Sequence, residues 1–80
     1  MSRSEKLIRR LKKIPKDFTW DELTKVLNHF GYFEAPTNKT GGSRRKFSND
    51  KKEVIALHKP HPQNNVKPYV IRLVLKKLNL

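Results

Sequence analysis

The sequence predicts an α+β fold in which helices cover one face of a three-stranded antiparallel sheet. Apolar residues recur at helical spacing within residues 19–31 and 67–78, which predicts two helices. Between them, residues 44–58 read as two strands of alternating character around a polar turn at residues 49–52, which predicts a hairpin. Because three strands cannot bury an apolar face by themselves, the two helices must pack on the sheet. The core therefore has the order α-β-β-β-α, and an extra N-terminal helix precedes it.

This extra helix is predicted over residues 1–15. Ser2 and Glu5 have the spacing of a capping box at its start, and Pro15 marks its end. Its apolar residues share one helical face, and they are Leu7, Ile8, Leu11 and Ile14. Basic residues cover the other side. Three interpretations stay open: a packed helix with a solvated basic face, a nucleic-acid-binding arm, or an amphipathic helix on a membrane surface.

The second helix is predicted over residues 19–31, and the sequence marks both of its ends. Thr19 can cap the first turn while the Glu22 side chain returns the hydrogen bond, and Phe18 can pack against Leu23. Gly31 ends the helix, because glycine adopts the left-handed backbone conformation without strain. The positions that repeat at helical spacing are Leu23, Val26, Leu27 and Phe30.

The sheet is predicted within residues 32–58, with strands at 32–35, 44–48 and 53–58. Successive side chains of a strand point to opposite faces of the sheet. The side chains predicted to face the core are Phe47, Ile55 and Leu57. Those predicted to lie together on the open face include Arg44, Lys46 and His58. Two cations and a histidine are therefore expected on one side of a small sheet.

The last helix is predicted over residues 67–78. Pro68 suits its first turn, where the missing N–H removes no intrahelical hydrogen bond. The apolar stripe that is predicted to face the core comprises Val70, Ile71, Leu73, Val74, Leu75 and Leu78. Arg72, Lys76 and Lys77 are predicted to stay in solvent.

Length and charge limit the class of protein. Eighty residues predict one domain, residues 1–80. The chain has 19 lysines and arginines against 7 acidic residues, and its net charge of +12 favours an anionic partner, either nucleic acid or an acidic protein. A highly soluble surface without such a partner is the alternative that the charge leaves open.

Several kinds of site are not predicted. The chain has no cysteine, which excludes disulfides and thiolate metal sites. His58 and His61 have a spacing that suits one metal ion, but no cysteine or nearby carboxylate completes the site, so neither a metal nor another cofactor is predicted. No apolar run approaches the ~20 residues of a membrane span, and no signal peptide is visible. A cytoplasmic protein without a membrane partner is the resulting expectation.

Three short motifs occur together in the second half of the chain. They are Gly42-Ser43-Arg44-Arg45-Lys46-Phe47, Leu57-His58-Lys59-Pro60-His61-Pro62 and Asn64-Asn65-Val66-Lys67-Pro68. In this order and spacing they resemble the HicA toxin family, whose pattern is a Gly-Ser-His-x-x-aromatic strand, a second strand, a His-Pro loop and a Lys-Pro that opens the last helix. The resemblance implies a double-stranded-RNA-binding-domain-like fold. The chain departs from the pattern at Arg44, which stands where the family places its catalytic histidine.

The resemblance implies a metal-independent endoribonuclease that cleaves messenger RNA, inhibits translation and growth, and is neutralised by a HicB-type antitoxin. Cleavage needs groups that move protons near neutral pH, which histidine provides, and a cation for the charge on the phosphorane, which arginine provides. We predict His58, His61 and Arg44 as the catalytic residues. Arg44 is assigned as the phosphate clamp, because a guanidinium cannot act as a general base near pH 7. The predicted RNA-binding residues are Lys39, Ser43, Arg44, Arg45, Lys46, Lys51, Lys52 and Lys59.

A second interpretation gives the same fold a different role, that of a catalytically inactive module that binds RNA or an antitoxin. A third, DNA binding through the final helix, is less favoured because that helix is too apolar to read a groove. Retained RNA binding with loss of cleavage in His58→Ala separates the first interpretation from the second.

Overall fold

The computed structural model describes residues 3–35, 44–60 and 63–80. Its elements, in chain order, are α1 (Arg3–Lys12), α2 (Trp20–His29), β1 (Phe33–Glu34), β2 (Arg44–Ser48), β3 (Val54–His58) and α3 (Pro68–Leu78). The three strands form one antiparallel sheet in the order β1-β2-β3. The predicted α+β class and the helix-helix-strand-strand-strand-helix order are therefore confirmed.

The helix α1 contributes to the hydrophobic core and contacts both α2 and α3. Leu11 is fully buried, and the other apolar residues of the predicted face are partly buried against the core. The helix ends at Lys12, earlier than predicted, because Ile14 has a left-handed backbone (φ 51°) immediately before Pro15. Of the three interpretations of this segment, a packed helix with a solvated basic face describes α1. The capping box predicted at Ser2 lies outside the described residues.

Arg10 connects α1 to the start of α2. Its Nη1 donates to Glu22 Oε2 at 2.7 Å, and its Nη2 donates to Asp17 Oδ1 at 2.8 Å. The guanidinium carbon also lies 5.3 Å from the centre of the Phe18 ring, within the range of a cation–π contact. One side chain thus joins two carboxylates and an aromatic ring across the α1–α2 connection.

Both predicted ends of α2 are confirmed. At the start, the Glu22 backbone N–H donates to Thr19 Oγ1 at 3.2 Å, and the Thr19 backbone N–H donates to Glu22 Oε1 at 3.0 Å. At the end, Gly31 has φ 85°, its N–H donates to the Asn28 carbonyl, and the Tyr32 N–H donates to the Leu27 carbonyl. This pair of bonds is a Schellman motif, which turns the chain directly into β1.

The hairpin of β2 and β3 presents one apolar face to the helices. Phe47, Ile55 and Leu57 are buried, as the alternation predicts. The Phe47 ring packs against the Trp20 ring, with 5.8 Å between the two ring centres. The polar turn is held by Asn49, whose Oδ1 accepts hydrogen bonds from the backbone N–H groups of residues 51 and 53. These hydrogen bonds support the register of the two strands at the turn end of the hairpin.

The helix α3 begins at Pro68 and buries Val70, Ile71 and Val74. The prediction for Leu73 is wrong, because its side chain is 40% exposed. At about 100° per residue, position 73 points roughly 105° away from the centre of the stripe formed by these three residues. Leu73 shares the solvent side of α3 with Tyr69, four residues earlier.

Candidate nucleic-acid interface

Arg44 and His58 are paired across β2 and β3. The register places Arg44 opposite His58, at the end of the hairpin away from its turn. Side chains of directly opposite residues share a face of the sheet, with Cβ atoms about 5 Å apart. Both residues are exposed, on the side that α2 and α3 leave uncovered. A guanidinium and an imidazole are therefore close enough to contact one phosphodiester together.

The rest of this open face combines a cation with apolar side chains. Lys46 lies opposite Ala56 and is exposed beside the Arg44–His58 pair. Phe33 and Val54 lie on the same face, 59% and 52% exposed. We use the term open face for Phe33, Arg44, Lys46, Val54, Ala56 and His58. Such a surface offers charge for phosphates and apolar area for a base or a protein.

Arg45 lies on the other side of the sheet from Arg44. It is opposite the buried Leu57, and its Nε lies 3.4 Å from Glu34 Oε2. This ion pair joins β1 to β2 at the margin of the core. The structure therefore does not bring Arg45 to the open face with the other predicted RNA-binding residues.

Lys51 and Lys52 are exposed in the hairpin turn. The turn and the Arg44–His58 pair lie at opposite ends of the two strands, which are five residues long. At about 3.4 Å per residue, these ends are separated by roughly 14 Å. The two lysines therefore lie at the far end of the sheet from the Arg44–His58 pair.

Three of the predicted site residues, Lys39, Ser43 and His61, lie outside the described residues. Lys59, the last predicted RNA-binding residue, follows β3 and lines a cavity of about 680 Å³ together with His58. Sequence reasoning missed three other residues of this cavity, Lys16, Lys67 and Tyr69. Lys67 belongs to the Lys-Pro motif, so a local signal existed for it. For Lys16 there was none, since 42 residues separate it from His58 in the sequence.

Over residues 3–35, 44–60 and 63–80, no group of three or more His, Cys, Asp or Glu residues is arranged to hold a metal ion. Within the same part of the chain, no helix has the length and apolar character needed to cross a membrane.

Comparison with protein families identifies a match over three quarters of the chain. The family model of the HicA toxin of bacterial toxin–antitoxin matches residues 20–80. No curated protein and no solved structure matches the chain. The matched region begins at the first residue of α2, so α1 and the loop that carries Lys16 precede it.

Proposed function

Because the chain belongs to the HicA toxin family, and is thereby a toxin of a toxin–antitoxin pair, we propose that it binds messenger RNA on the open face and cleaves it. The observation that carries the proposal is the direct cross-strand pairing of Arg44 with His58 on this face. The pair combines the two residue types that phosphodiester cleavage by an internal 2′-OH requires, a proton acceptor and a cation for the phosphate.

In the proposed reaction, neutral His58 removes the proton from a 2′-OH while the 2′-oxygen attacks the adjacent phosphorus. The bond from phosphorus to the 5′-oxygen breaks, and a general acid protonates that oxygen to complete the step. His61 is our candidate for this acid. Arg44 and Lys46 bind the non-bridging oxygens, where negative charge increases in the transition state. The products are a 2′,3′-cyclic phosphate and a free 5′-hydroxyl.

A second function rests on Arg44 itself. By the resemblance, this residue stands where the family has its catalytic histidine, and a guanidinium cannot accept a proton near pH 7. A chain with this substitution retains a phosphate-binding face even without cleavage. The alternative is therefore an inactive module that binds RNA or antitoxin through the same surface.

The two functions are separated by RNA cleavage and growth arrest with wild type, His58→Ala, Arg44→Ala and Arg44→His at matched expression. We expect His58→Ala to lose about 10²-fold or more in cleavage rate while retaining RNA binding. Arg44→Ala should weaken both cleavage and binding, and Arg44→His should retain or raise activity. The matched control is His29→Ala, which removes an exposed imidazole from α2.

Each possible result has a defined meaning. If His58→Ala cleaves as fast as wild type, the assignment of His58 as the base is wrong. If wild type leaves RNA intact while Arg44→His cleaves it, the inactive-module function is correct and the reaction has been lost in this chain.

Membership of the family implies an antitoxin partner. We propose that this partner is of the HicB type and covers the open face. The cations of the open face and its exposed Phe33 and Val54 suit a partner surface that is acidic and offers apolar contacts.

We expect Lys46→Glu to slow association with the antitoxin about 10-fold or more at low salt, whereas Lys77→Glu, at the end of α3, should have a much smaller effect. Stopped-flow association rates measure this. A complex in which Arg44, Lys46 and His58 stay accessible to solvent contradicts direct blocking.

A further inference from the structure

The cavity beside His58 lies between the end of β3 and the start of α3. His58 and Lys59 line it from one side, Lys67 and Tyr69 from another, and Lys16 from the loop between α1 and α2. Its volume is about 680 Å³. This lies within the range of roughly 300–1,000 Å³ that is typical of small-molecule sites in proteins. The cavity therefore continues from the open face at the position of the proposed base.

The walls of this cavity are held together by backbone hydrogen bonds between two distant loops. The Trp20 N–H donates to the Asn64 carbonyl at 2.8 Å, and the Val66 N–H donates to the Phe18 carbonyl at 2.7 Å. The buried side chains of Val66 and Val70 line the cavity on its core side. Lys16 and Lys67 thus lie on loops that are fixed side by side, although they are 51 positions apart in the sequence.

The charge of the cavity has one sign. Lys16, Lys59 and Lys67 are exposed, and none of them forms an ion pair with any residue of 3–35, 44–60 or 63–80. Among the residues that the structure describes, no Asp or Glu lines the cavity. Three lysines that line one cavity give it a positive potential, which attracts a phosphate.

The cavity also has a surface for a nucleobase. Tyr69 is 61% exposed, which leaves the aromatic ring accessible on the cavity wall. Aromatic rings of this kind stack on bases regardless of sequence. Gln63 and Asn65 also line the cavity, and their side-chain amides can pair with the polar edges of a base.

We propose that this cavity binds one nucleotide of single-stranded RNA, next to the phosphate contacted by Arg44 and His58. The phosphate of this nucleotide lies among Lys16, Lys59 and Lys67, and its base stacks on Tyr69. The inference rests on the proposed function and adds a defined subsite to it. Because Lys16 precedes the matched region, the N-terminal segment of this chain is thereby part of the RNA-binding surface.

The test measures binding of the full chain to a single-stranded 2′-O-methyl RNA, which lacks the attacking 2′-OH and therefore stays intact. The variants are Lys16→Ala, Lys67→Ala, Tyr69→Ala and Tyr69→Phe, all at exposed positions, and thermal unfolding verifies that each is folded. The matched control is Lys76→Ala, an exposed lysine of α3 that does not line the cavity. Fluorescence anisotropy over a series of salt concentrations gives affinities and salt slopes.

The lysine variants should change the salt dependence of RNA binding, whereas the tyrosine variants should not. A purely structural role of these residues would not produce this difference. Each lysine variant should weaken binding and reduce the slope of log K against log salt by about 0.7, the value for one phosphate contact on a single strand. Tyr69→Ala should weaken binding about 5-fold to 100-fold with little change in slope, and Tyr69→Phe should bind like wild type because the ring remains. Lys76→Ala should leave both quantities unchanged.

The other outcomes overturn the subsite and separate it from the proposed function. If wild type cleaves unmodified RNA while the Lys16, Lys67 and Tyr69 variants bind the 2′-O-methyl RNA as tightly as Lys76→Ala does, the subsite is wrong and the proposed function stands. If the variants keep their RNA affinity but lose antitoxin binding, the cavity is instead a protein-docking surface. If wild type binds no RNA, both the subsite and the proposed function are wrong.

Discussion

At the scale of single residues, Glu22 connects two interactions that stabilise the start of α2. One carboxylate oxygen accepts from the Thr19 backbone N–H, and the other accepts from the Arg10 guanidinium. Burial alone raises the pKa of Glu22, but these hydrogen bonds outweigh it and hold the pKa below its ordinary value. The ionised form of this carboxylate is therefore the one that stabilises the fold.

A pH-dependent contribution to stability follows from Glu22. Because its pKa is lower in the folded than in the unfolded chain, its contribution is complete above the unfolded-state pKa and is lost as pH falls through the folded-state pKa. We expect Glu22→Gln to lower the free energy of unfolding by about 1 kcal/mol at pH 7. The difference from wild type should begin to shrink as pH falls below about 4, the ordinary pKa of a glutamate, and should be lost below the folded-state pKa of Glu22.

Urea unfolding at several pH values measures this difference. Asp50→Asn removes a carboxylate from the exposed hairpin turn and serves as the control, for which little difference from wild type is expected at any pH. A destabilisation by Glu22→Gln that stays constant from pH 7 to about pH 3 would show that the charge of this residue is not what stabilises α2.

At the scale of elements, the connection from α2 to β1 depends on one left-handed residue. Gly31 has φ 85°, and the two hydrogen bonds of the Schellman motif close around it. A Cβ atom added here would have no heavy atom within 4 Å. The constraint at this position is therefore the backbone conformation and not the available space.

We expect Gly31→Ala to destabilise the protein by about 1 kcal/mol, which is the cost of placing an L-residue in the left-handed region. Gly31→Asn should cost less, because asparagine tolerates this conformation better than alanine. Denaturant unfolding of the two variants and wild type measures both effects. Equal stability of Gly31→Ala and wild type would mean that the α2–β1 connection relaxes to a different turn.

At the scale of the whole molecule, the N-terminal helix belongs to the core although it precedes the region matched by the family. Leu11 is fully buried, and Arg10 links α1 to the start of α2. The same segment leads to Lys16 at the cavity. An 80-residue chain has little core to spare, so this helix supports both the stability of the fold and the shape of the proposed subsite.

Leu11→Ala should therefore lower the free energy of unfolding by about 2–5 kcal/mol, through lost burial and the cavity that remains. Lys12→Ala, at the exposed neighbouring position, should change it by less than about 0.5 kcal/mol. Thermal and urea unfolding measure both variants. If Leu11→Ala unfolds like Lys12→Ala, α1 is not a structural part of the core.

The sequence by itself determined the features that depend on local periodicity and local hydrogen bonding. Alternation along the hairpin assigned Phe47 to the core and Arg44 to the open face, and both assignments are confirmed. The caps at Thr19 and Gly31 were also readable, because each motif lies within a few consecutive residues. Such signals involve neighbours in the chain, so no knowledge of packing was needed to find them.

Only the tertiary structure decided which distant residues meet. The pairing of Arg44 with His58, the ion pair of Arg45 with Glu34 and the approach of Lys16 to Lys67 all join separate segments. Leu73 is another example. Its apolar side chain belongs to the stripe that was predicted to face the core, but it lies on the solvent side of α3. The physical reason is that strand register and helix orientation result from burying the whole apolar surface at once, and no single stretch of sequence encodes that sum.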